Sequence, residues 1–492
     1  MDIFERRPST SEYVAVHAAM EPARIAVVFG GEALSYGLVY QHIGNFTVGL
    51  QALGIVPGDR CIVSVGHAYV HWLVLLALEN LGAVSCSVRA DETDTLKPLM
   101  ACTNKLISQE GALPGATVEW VHLPMEWMQT QLNARFDEAR YQALVRQPEP
   151  QSAQRIKRSS GTTGGMKNML MTNSMEEVLI QQYADVMGFT RETRYLVSSG
   201  FVISSVYLCA TLCLRLGAMV VFDRGEDKLD LIARNRVSHV RFFPQQLLEL
   251  LTTIEEGKLP KPRGLTVILG AAPVSRKLWD RVMALLATHI VYTYNANECG
   301  SICVMGPDGL GVVRAGVEVS IVGPDDKVLA PGQTGRIRVK APGMLRSYIN
   351  NPAASRNNFR DGWFYTGDAG QFIGPRRLKL LGRIDDVLIF AGFKRGADEY
   401  EAEVCAVPGI EQACALAVPD ALGVDRLVLC VVASPGLERK ALAQEMAKKF
   451  PSFITEGGKA FFVERLPRTD NGKLQRAVMR TRVPELTGGY AF

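Results

Sequence analysis

Apolar positions along the chain change period several times, and the changes divide it into blocks. From Ile25 to Val88, short β-branched runs (IAVVF, CIVSV, AVSCSV) alternate with stretches of helical spacing over residues 36–54 and 68–81. That alternation predicts an α/β layer around a largely parallel sheet. Gly58-Asp59-Arg60 reads as the turn into one strand, and Gly82 as the stop of the helix before the next. Residues 133–158 are polar and poor in large aliphatics, which predicts a connecting segment with some helix. Apolar runs return at 219–222, 239–243, 267–269 and 290–294, spaced by helix-like segments, and predict a second doubly wound half. After Gly306 the texture becomes short strands between Gly, Pro and Asp turns, VEVSIVGPDDKVLAPGQTGRIRVKAPG, as in a small antiparallel barrel or meander. From about Ile384, EVCAVPGIEQACALAVPD and LVLCVVAS restore a mixed helix and strand pattern. The predicted fold class is α/β: a large N-terminal domain, 1–383, of two doubly wound α/β subdomains plus a small β-barrel, then a smaller α+β domain, 384–492.

Composition narrows the picture. The 492 residues are 47% hydrophobic, and 54 Lys+Arg against 50 Asp+Glu leave a net charge of +4. A chain of this size and apolar content buries sizeable cores, and its mixed charges give no basic face for nucleic acid or an anionic membrane. The twenty uncharged residues from Tyr195 to Leu214 would just span a bilayer, but they are broken by Ser and Gly and followed by a second apolar run. A buried helix leading into a buried strand explains them better. The first eleven residues carry charges and no apolar run, so no secretory signal is expected. Ten cysteines show neither a C-x-x-C pair nor a metal-ligand spacing, consistent with reduced, buried thiols in a cytoplasmic protein. Cys209/Cys213 and Cys299/Cys303 are each four apart and could share helix faces, but a zinc site would need further ligands.

The stretch that carries chemistry is Arg158-Ser-Ser-Gly-Thr-Thr-Gly-Gly-Met-Lys167. Small and hydroxylated residues let backbone N–H groups approach phosphate oxygens, and a lysine closes the run. The Gly-Lys-Ser/Thr ending of P-loop nucleotidases is missing, and on its own the stretch could be a surface turn. Further motifs follow in order: Gly270-Ala-Ala-Pro273, Tyr294-Asn-Ala-Asn-Glu298, Tyr365-Thr-Gly-Asp368, Gly382-Arg-Ile-Asp-Asp386 and Pro467-Arg-Thr-Asp-Asn-Gly-Lys473. In this order they resemble the motifs of the adenylate-forming superfamily, which includes acyl-CoA synthetases, stand-alone and peptide-synthetase adenylation domains, and luciferases. The resemblance covers nearly the whole chain.

That resemblance implies an AMP-forming acid–thiol ligase that joins a carboxylic acid to ATP as an acyl-adenylate, releases pyrophosphate, and passes the acyl group to an acceptor. It implies ATP and Mg²⁺ as cofactors, with CoA as the first expected acceptor. A carrier-protein thiol, or an amino-acid amine as in coronafacate-type ligases, is the alternative acceptor, and a non-catalytic nucleotide- or acyl-binding homologue the alternative class. Ser159, Ser160, Gly161, Thr162, Thr163, Gly164 and Lys167 would cradle phosphates, and Gly270, Ala271 and Ala272 would lie on the adenine side. Tyr294 would offer a face to adenine, Asn295 would flank it, Asp368 would accept from the ribose hydroxyls, and Arg383 would assist at the ribose or phosphate. Glu298 would bind Mg²⁺, Asn297 would contact phosphate, and Lys473 would be the catalytic lysine, carried on a mobile lid that turns about a hinge at Asp385. Met166, Asn168, Asn295 and Asn297 depart from the family pattern; Asn168, in place of Gly, tolerates a positive φ.

By the same alignment Gly200-Phe-Val-Ile-Ser204 falls on the acid-pocket helix, and Val202 occupies the place of the aspartate that pairs with an α-ammonium. An α-amino acid would bury its charge against a valine, so an acid with an uncharged aliphatic or aromatic tail is expected. Phe201, Val202, Ile203, Phe243, Ala271, Thr293, Ser301 and Ile302 are the pocket candidates. Gly392, Lys394 and Arg395 fall where an acceptor channel would pass, and could equally be an ordinary solvated turn.

Overall fold

A computed structural model describes residues 8–89, 96–111, 117–160, 166–257, 260–270, 274–390, 393–419, 425–449, 458–469, 472–486 and 489–491. A six-stranded sheet orders its strands Glu119–His122, Lys105–Ser108, Arg60–Ser64, Val84–Ser87, Ala153–Ser160 and Met166–Thr172, parallel except for the last pair. The second sheet is larger. Its parallel part runs Ile25–Phe29, Met219–Phe222, Arg194–Val197, His239–Arg241, Thr266–Leu269 and His289–Ala296.

One expectation is corrected here. IAVVF does not join CIVSV and AVSCSV; it pairs in parallel with Met219–Phe222 of the other sheet. The apolar period of a strand fixes which side chains are buried but not which neighbour it finds.

The parallel strands read as unbroken apolar runs because both faces are covered. Tyr195, Val197, Val220, Phe222, Ile268 and Val291 turn to one core, while Leu196, Val221, Val240, Val267 and Leu269 turn to the other. The first core also takes Cys61, Val63 and Ile107 from the six-stranded sheet, so the helices Tyr36–Ala52, Ala68–Asn80 and Ser204–Leu216 share one core with both sheets. Ala68–Asn80 is accordingly buried nearly all round, which accounts for its run YVHWLVLLAL.

The antiparallel strands predicted after Gly306 are present, but they extend the large sheet from His289–Ala296 through Gly300–Met305, Leu310–Val313, Arg377–Arg383, Trp363–Gly374, Gly335–Lys340 and Glu318–Val322. Among the described residues this ladder is an open path, without a pairing that closes a barrel. The uncharged stretch from Tyr195 is a strand end, a turn and then the helix Ser204–Leu216, and among the described residues no helix is long and apolar enough to cross a membrane. Gly200–Ile203 is therefore a turn ahead of that helix, not part of it. All ten cysteines are unpaired with one another; Cys209 and Cys213 share a helix, whereas Cys299 and Cys303 lie on a turn and a strand, where an interval of four does not define a helix face.

Beyond Arg383 the chain makes a 3₁₀ turn, Ile384–Asp386, then a two-stranded hairpin of Val387–Phe390 and Phe393–Gly396, and after one helix enters a separate four-stranded sheet of Ile410–Pro419, Asp425–Ala433, Lys459–Phe462 and Tyr490–Ala491. Helices Ala397–Val404 and Arg439–Lys449 supply Tyr400, Val404 and Met446 to one core of this unit. Helix Arg476–Arg482 supplies Met479 to the core that holds Cys414, Leu416 and Cys430.

Candidate active site

The hairpin of Ala153–Ser160 and Met166–Thr172 pairs Ser159 with Lys167 and holds the two ends of the glycine-rich loop side by side. Gly161, Thr162, Thr163 and Gly164 lie outside the described residues, as do Ala271, Ala272 and Gly392; the side chains of Ser160, Asp385, Lys394 and Arg395 are also outside that description. The Lys167 ammonium sits 5.0 Å from the centre of the Tyr348 ring and donates to Asn358 Oδ1 at 3.4 Å. Burial lowers its pKa and Arg383 acts in the same direction, against Glu298. Asn168 stands in a regular strand and not at a positive φ; its amide donates to the Pro98 carbonyl at 3.3 Å. Its tolerance of left-handed backbone is therefore unused, and its contribution is a hydrogen bond.

Asp368 and Arg383 are opposite each other on antiparallel strands, at a register shift that re-aims the side chains there. Arg383 donates to Asp368 Oδ1 at 3.0 Å and to the Thr366 carbonyl at 2.8 Å, and the Tyr294 hydroxyl donates to Asp368 Oδ2. Burial and the Asp368 charge together raise the Tyr294 pKa, so the phenol keeps its proton. Between them Gly367 adopts φ +77°, and a Cβ there would stand 2.2 Å from an Arg383 nitrogen. Only glycine satisfies both the backbone and the guanidinium at this position.

Glu298 is 8% exposed and accepts from the Tyr348 hydroxyl at 2.8 Å. Its neighbour Asn297 is exposed and donates to the Arg158 carbonyl at 3.4 Å, which ties this turn to the glycine-rich hairpin. Asn295 donates to Thr293 Oγ1 at 2.9 Å, while its own carbonyl oxygen is buried without a partner. A hard cation held with nucleotide phosphates needs only one or two protein carboxylates. Among the described residues no three His, Cys, Asp or Glu side chains gather, but Glu298, with one oxygen bonded to Tyr348 and no hydrogen bond to the other, fits that limited demand.

Lys473 is exposed on a tight turn: Thr469 N–H donates to its carbonyl at 2.8 Å, and its own N–H donates to Thr469 Oγ1 at 3.1 Å. Three residues on, Arg476 donates to Asp386 at 3.0 Å, to Glu401 and to Asp398. The lysine turn is thus pinned to the 3₁₀ turn that contains Asp385.

The acid-pocket candidates separate. Phe201 stacks on Trp72 with ring centres 5.7 Å apart and belongs to the first core. Ile302 is fully buried in the second core. Ser301 and Ile302 are adjacent in a strand and point to opposite faces, so they cannot line one cavity together. Val202 and Ile203 are half-buried; Phe243, Thr293 and Ser301 are buried, the last with an unpartnered hydroxyl. Tyr348 and Asn358 stand in none of the motifs and are identified only by contacts that the fold makes, and Thr366, inside the Tyr365–Asp368 motif, gains its part only through its carbonyl, which accepts from Arg383.

The AMP-binding enzyme family model matches residues 14–349, and the model for the AMP-binding enzyme C-terminal domain matches residues 399–473. The chain is similar to 4-coumarate–CoA ligase 1 of Petroselinum crispum, 24% identical over 495 residues, covering 92% of this chain and 90% of that one. Among solved structures it is similar to ATP-bound MatB from Rhodopseudomonas palustris, with a TM-score of 0.83 and 21% identity over 96% of this chain and 98% of that one. It is also similar to the amide bond synthetase McbA from Marinactinospora thermotolerans, with a TM-score of 0.83 and 18% identity over 96% and 99% of the two chains. With two thirds of its length matched by the first model and its C-terminal unit by the second, this chain belongs to the AMP-binding enzyme family of the adenylate-forming superfamily.

Proposed function

We propose that the protein is an AMP-forming acid ligase that activates a carboxylic acid lacking an α-ammonium group and transfers the acyl group to the thiol of CoA. The observation that carries the reading is the Asp368 carboxylate, fixed by Tyr294 and Arg383 beside the Lys167, Tyr348 and Glu298 group. Two ribose hydroxyls would donate to Asp368, whose oxygens keep free lone pairs. Lys167 and the hairpin would neutralise the β- and γ-phosphates. Glu298 would hold Mg²⁺, which offsets phosphate charge when bound with the nucleotide.

In the first half-reaction a carboxylate oxygen attacks the α-phosphorus as the bond to the bridging oxygen of pyrophosphate breaks. Lys473 would meet the charge that gathers between the carboxylate and the α-phosphate. In the second, the thiol loses its proton and attacks the acyl carbonyl, and AMP leaves. Residues 384–492 would act as the lid that exchanges Lys473 for the acceptor channel by turning at Asp385. CoA is favoured as acceptor by the CoA ligases among the relatives; an amine acceptor draws support from the likeness to the amide synthetase. Incubation with ATP, Mg²⁺ and a panel of acids, followed by CoA or by free amines, decides between them by product mass. An acyl-CoA supports the proposal, and an amide formed with CoA left unchanged overturns its acceptor.

A further inference from the structure

Arg241 ends the strand His239–Arg241 and is only 2% exposed, yet its Nε and one terminal nitrogen are buried without a hydrogen-bond partner. Among the described residues no carboxylate forms an ion pair with it, whereas buried Lys157 pairs with Glu176 and buried Arg155 donates to Ser87 Oγ and lies over the Tyr207 ring. Its other terminal nitrogen reaches toward Gly270: a Cβ built there would lie 3.2 Å from that nitrogen and 3.3 Å from the Thr293 carbonyl. Strand register pairs Arg241 with Ile268 and Ile268 with Val291, so the alternate residues Gly270 and Thr293 share its face of the sheet. On that face the guanidinium lies close enough to Tyr183, Tyr195 and Cys209 for its charge to oppose the burial that raises their pKa values. These residues belong to the helices Asn173–Met187 and Ser204–Leu216 and to the strand Arg194–Val197.

A buried cation stripped of water and left unpaired is strongly unfavourable. Among the described residues none supplies the counter-charge, and a ligand carboxylate would supply it. On the reading above, phosphate charge would be met elsewhere, around Lys167 and Arg383, and Thr293 is one of the acid-pocket candidates, on a strand apart from the glycine-rich hairpin. We propose that Arg241 is a specificity residue that pairs with a second carboxylate at the far end of the acid substrate, so that the preferred substrates are dicarboxylic acids. The proposal rests on the acid-activating reading above and replaces the uncharged tail expected from Val202. That valine argues only against a positive group, and a guanidinium at the same pocket selects a negative one. Bidentate geometry between guanidinium and carboxylate makes the discrimination sharp.

The test compares succinic to suberic acid with monoacids of matched length, read both as acid-dependent exchange of pyrophosphate into ATP and as the rise in Tm on binding. The wild-type protein should favour a diacid by at least about 100-fold in kcat/KM. Arg241→Met should lose that preference, accept monoacids better, keep its KM for ATP, and show a raised ligand-free Tm because an uncompensated charge has gone. Arg241→Lys, which keeps the charge but not the fork, should lose about tenfold on diacids alone. Preference of the wild type for monoacids, or equal loss on both acid classes with a lowered ligand-free Tm, overturns the proposal. Diacid binding that depends on Arg241 without exchange would keep the site and overturn the acid-activating reading instead.

Discussion

Replacing Asp368 by Asn removes one charge and almost no volume, so its effects can be assigned to electrostatics. In the free protein the carboxylate faces Arg383 at 3.0 Å, with side chains 32% and 19% exposed for Arg383 and Asp368. Two unit charges about 4 Å apart attract by about 4 kcal/mol at an effective dielectric near 20. Partial exposure and the ordering of the side chains reduce the net value to about 1 kcal/mol. The amide oxygen can still accept from Tyr294, so the fold should lose only about 1 to 2 kcal/mol. Nucleotide binding should lose more. Two ribose hydroxyls donating to a carboxylate contribute about 1.5 kcal/mol each; the Asn amide keeps one accepting oxygen, so one of these bonds is lost and the other falls to the smaller value of a neutral pair. The total, about 2 kcal/mol, is about 30-fold in Kd. Calorimetry with ATP and with its 2′-deoxy and 3′-deoxy analogues measures this directly. Each deoxy analogue should bind the wild-type protein about tenfold more weakly than ATP does, and the further loss in the Asn variant should be smaller. An Asn variant that binds ATP within about twofold of wild type would refute the assignment of Asp368 to the ribose.

Two other outcomes concern the C-terminal unit. Glu401 shares Arg476 with Asp386 and Asp398, and burial, with Asp398 adding to it, raises its pKa from 4.5 to about 7. A carboxyl whose folded pKa is raised is most stabilising below its ordinary value, so the C-terminal unit should lose stability as pH rises from 4.5 to about 7. Glu401→Gln should flatten that dependence, measured by hydrogen exchange at Ala415, whose N–H donates to Glu401; an unchanged slope contradicts it. Asp385→Pro, which fixes φ at the 3₁₀ turn, should leave adenylation near its wild-type rate and slow acyl transfer by at least about tenfold. Single-turnover rates of the two half-reactions check it, and equal loss in both removes the hinge role.

Much of the architecture was legible because burial writes itself into the period of the sequence. Strand Met219–Phe222 and helix Ala68–Asn80 fall within a residue of where their apolar patterns placed them. Partnership was not legible. IAVVF pairs with a strand some 190 residues away, and nothing local distinguishes that neighbour from the nearer CIVSV. The site divides in the same way. Asp368 and Arg383 stand in motifs and meet across one hairpin. Tyr348, which fixes Glu298, lies in an unremarkable Arg-Ser-Tyr-Ile-Asn stretch and is identified only by its contact. Ser301 and Ile302 were grouped by adjacency, and strand geometry sends them to opposite faces, Ile302 into the second core. Arg241 had no signal at all, since a charged residue in a short strand reads as a solvent-facing position until its burial is known.

Acid-dependent exchange of labelled pyrophosphate into ATP, in the wild-type protein and in Lys473→Ala, addresses the central claim most directly. Exchange requires reversible formation of an acyl-adenylate and nothing downstream, so it isolates the first half-reaction from the identity of the acceptor. The account predicts exchange that appears only when a substrate acid is added and that falls at least about 100-fold in Lys473→Ala, as expected for loss of a charged group at a developing anion. Exchange at the full rate in that variant, or none with any acid in the wild-type protein, would contradict it.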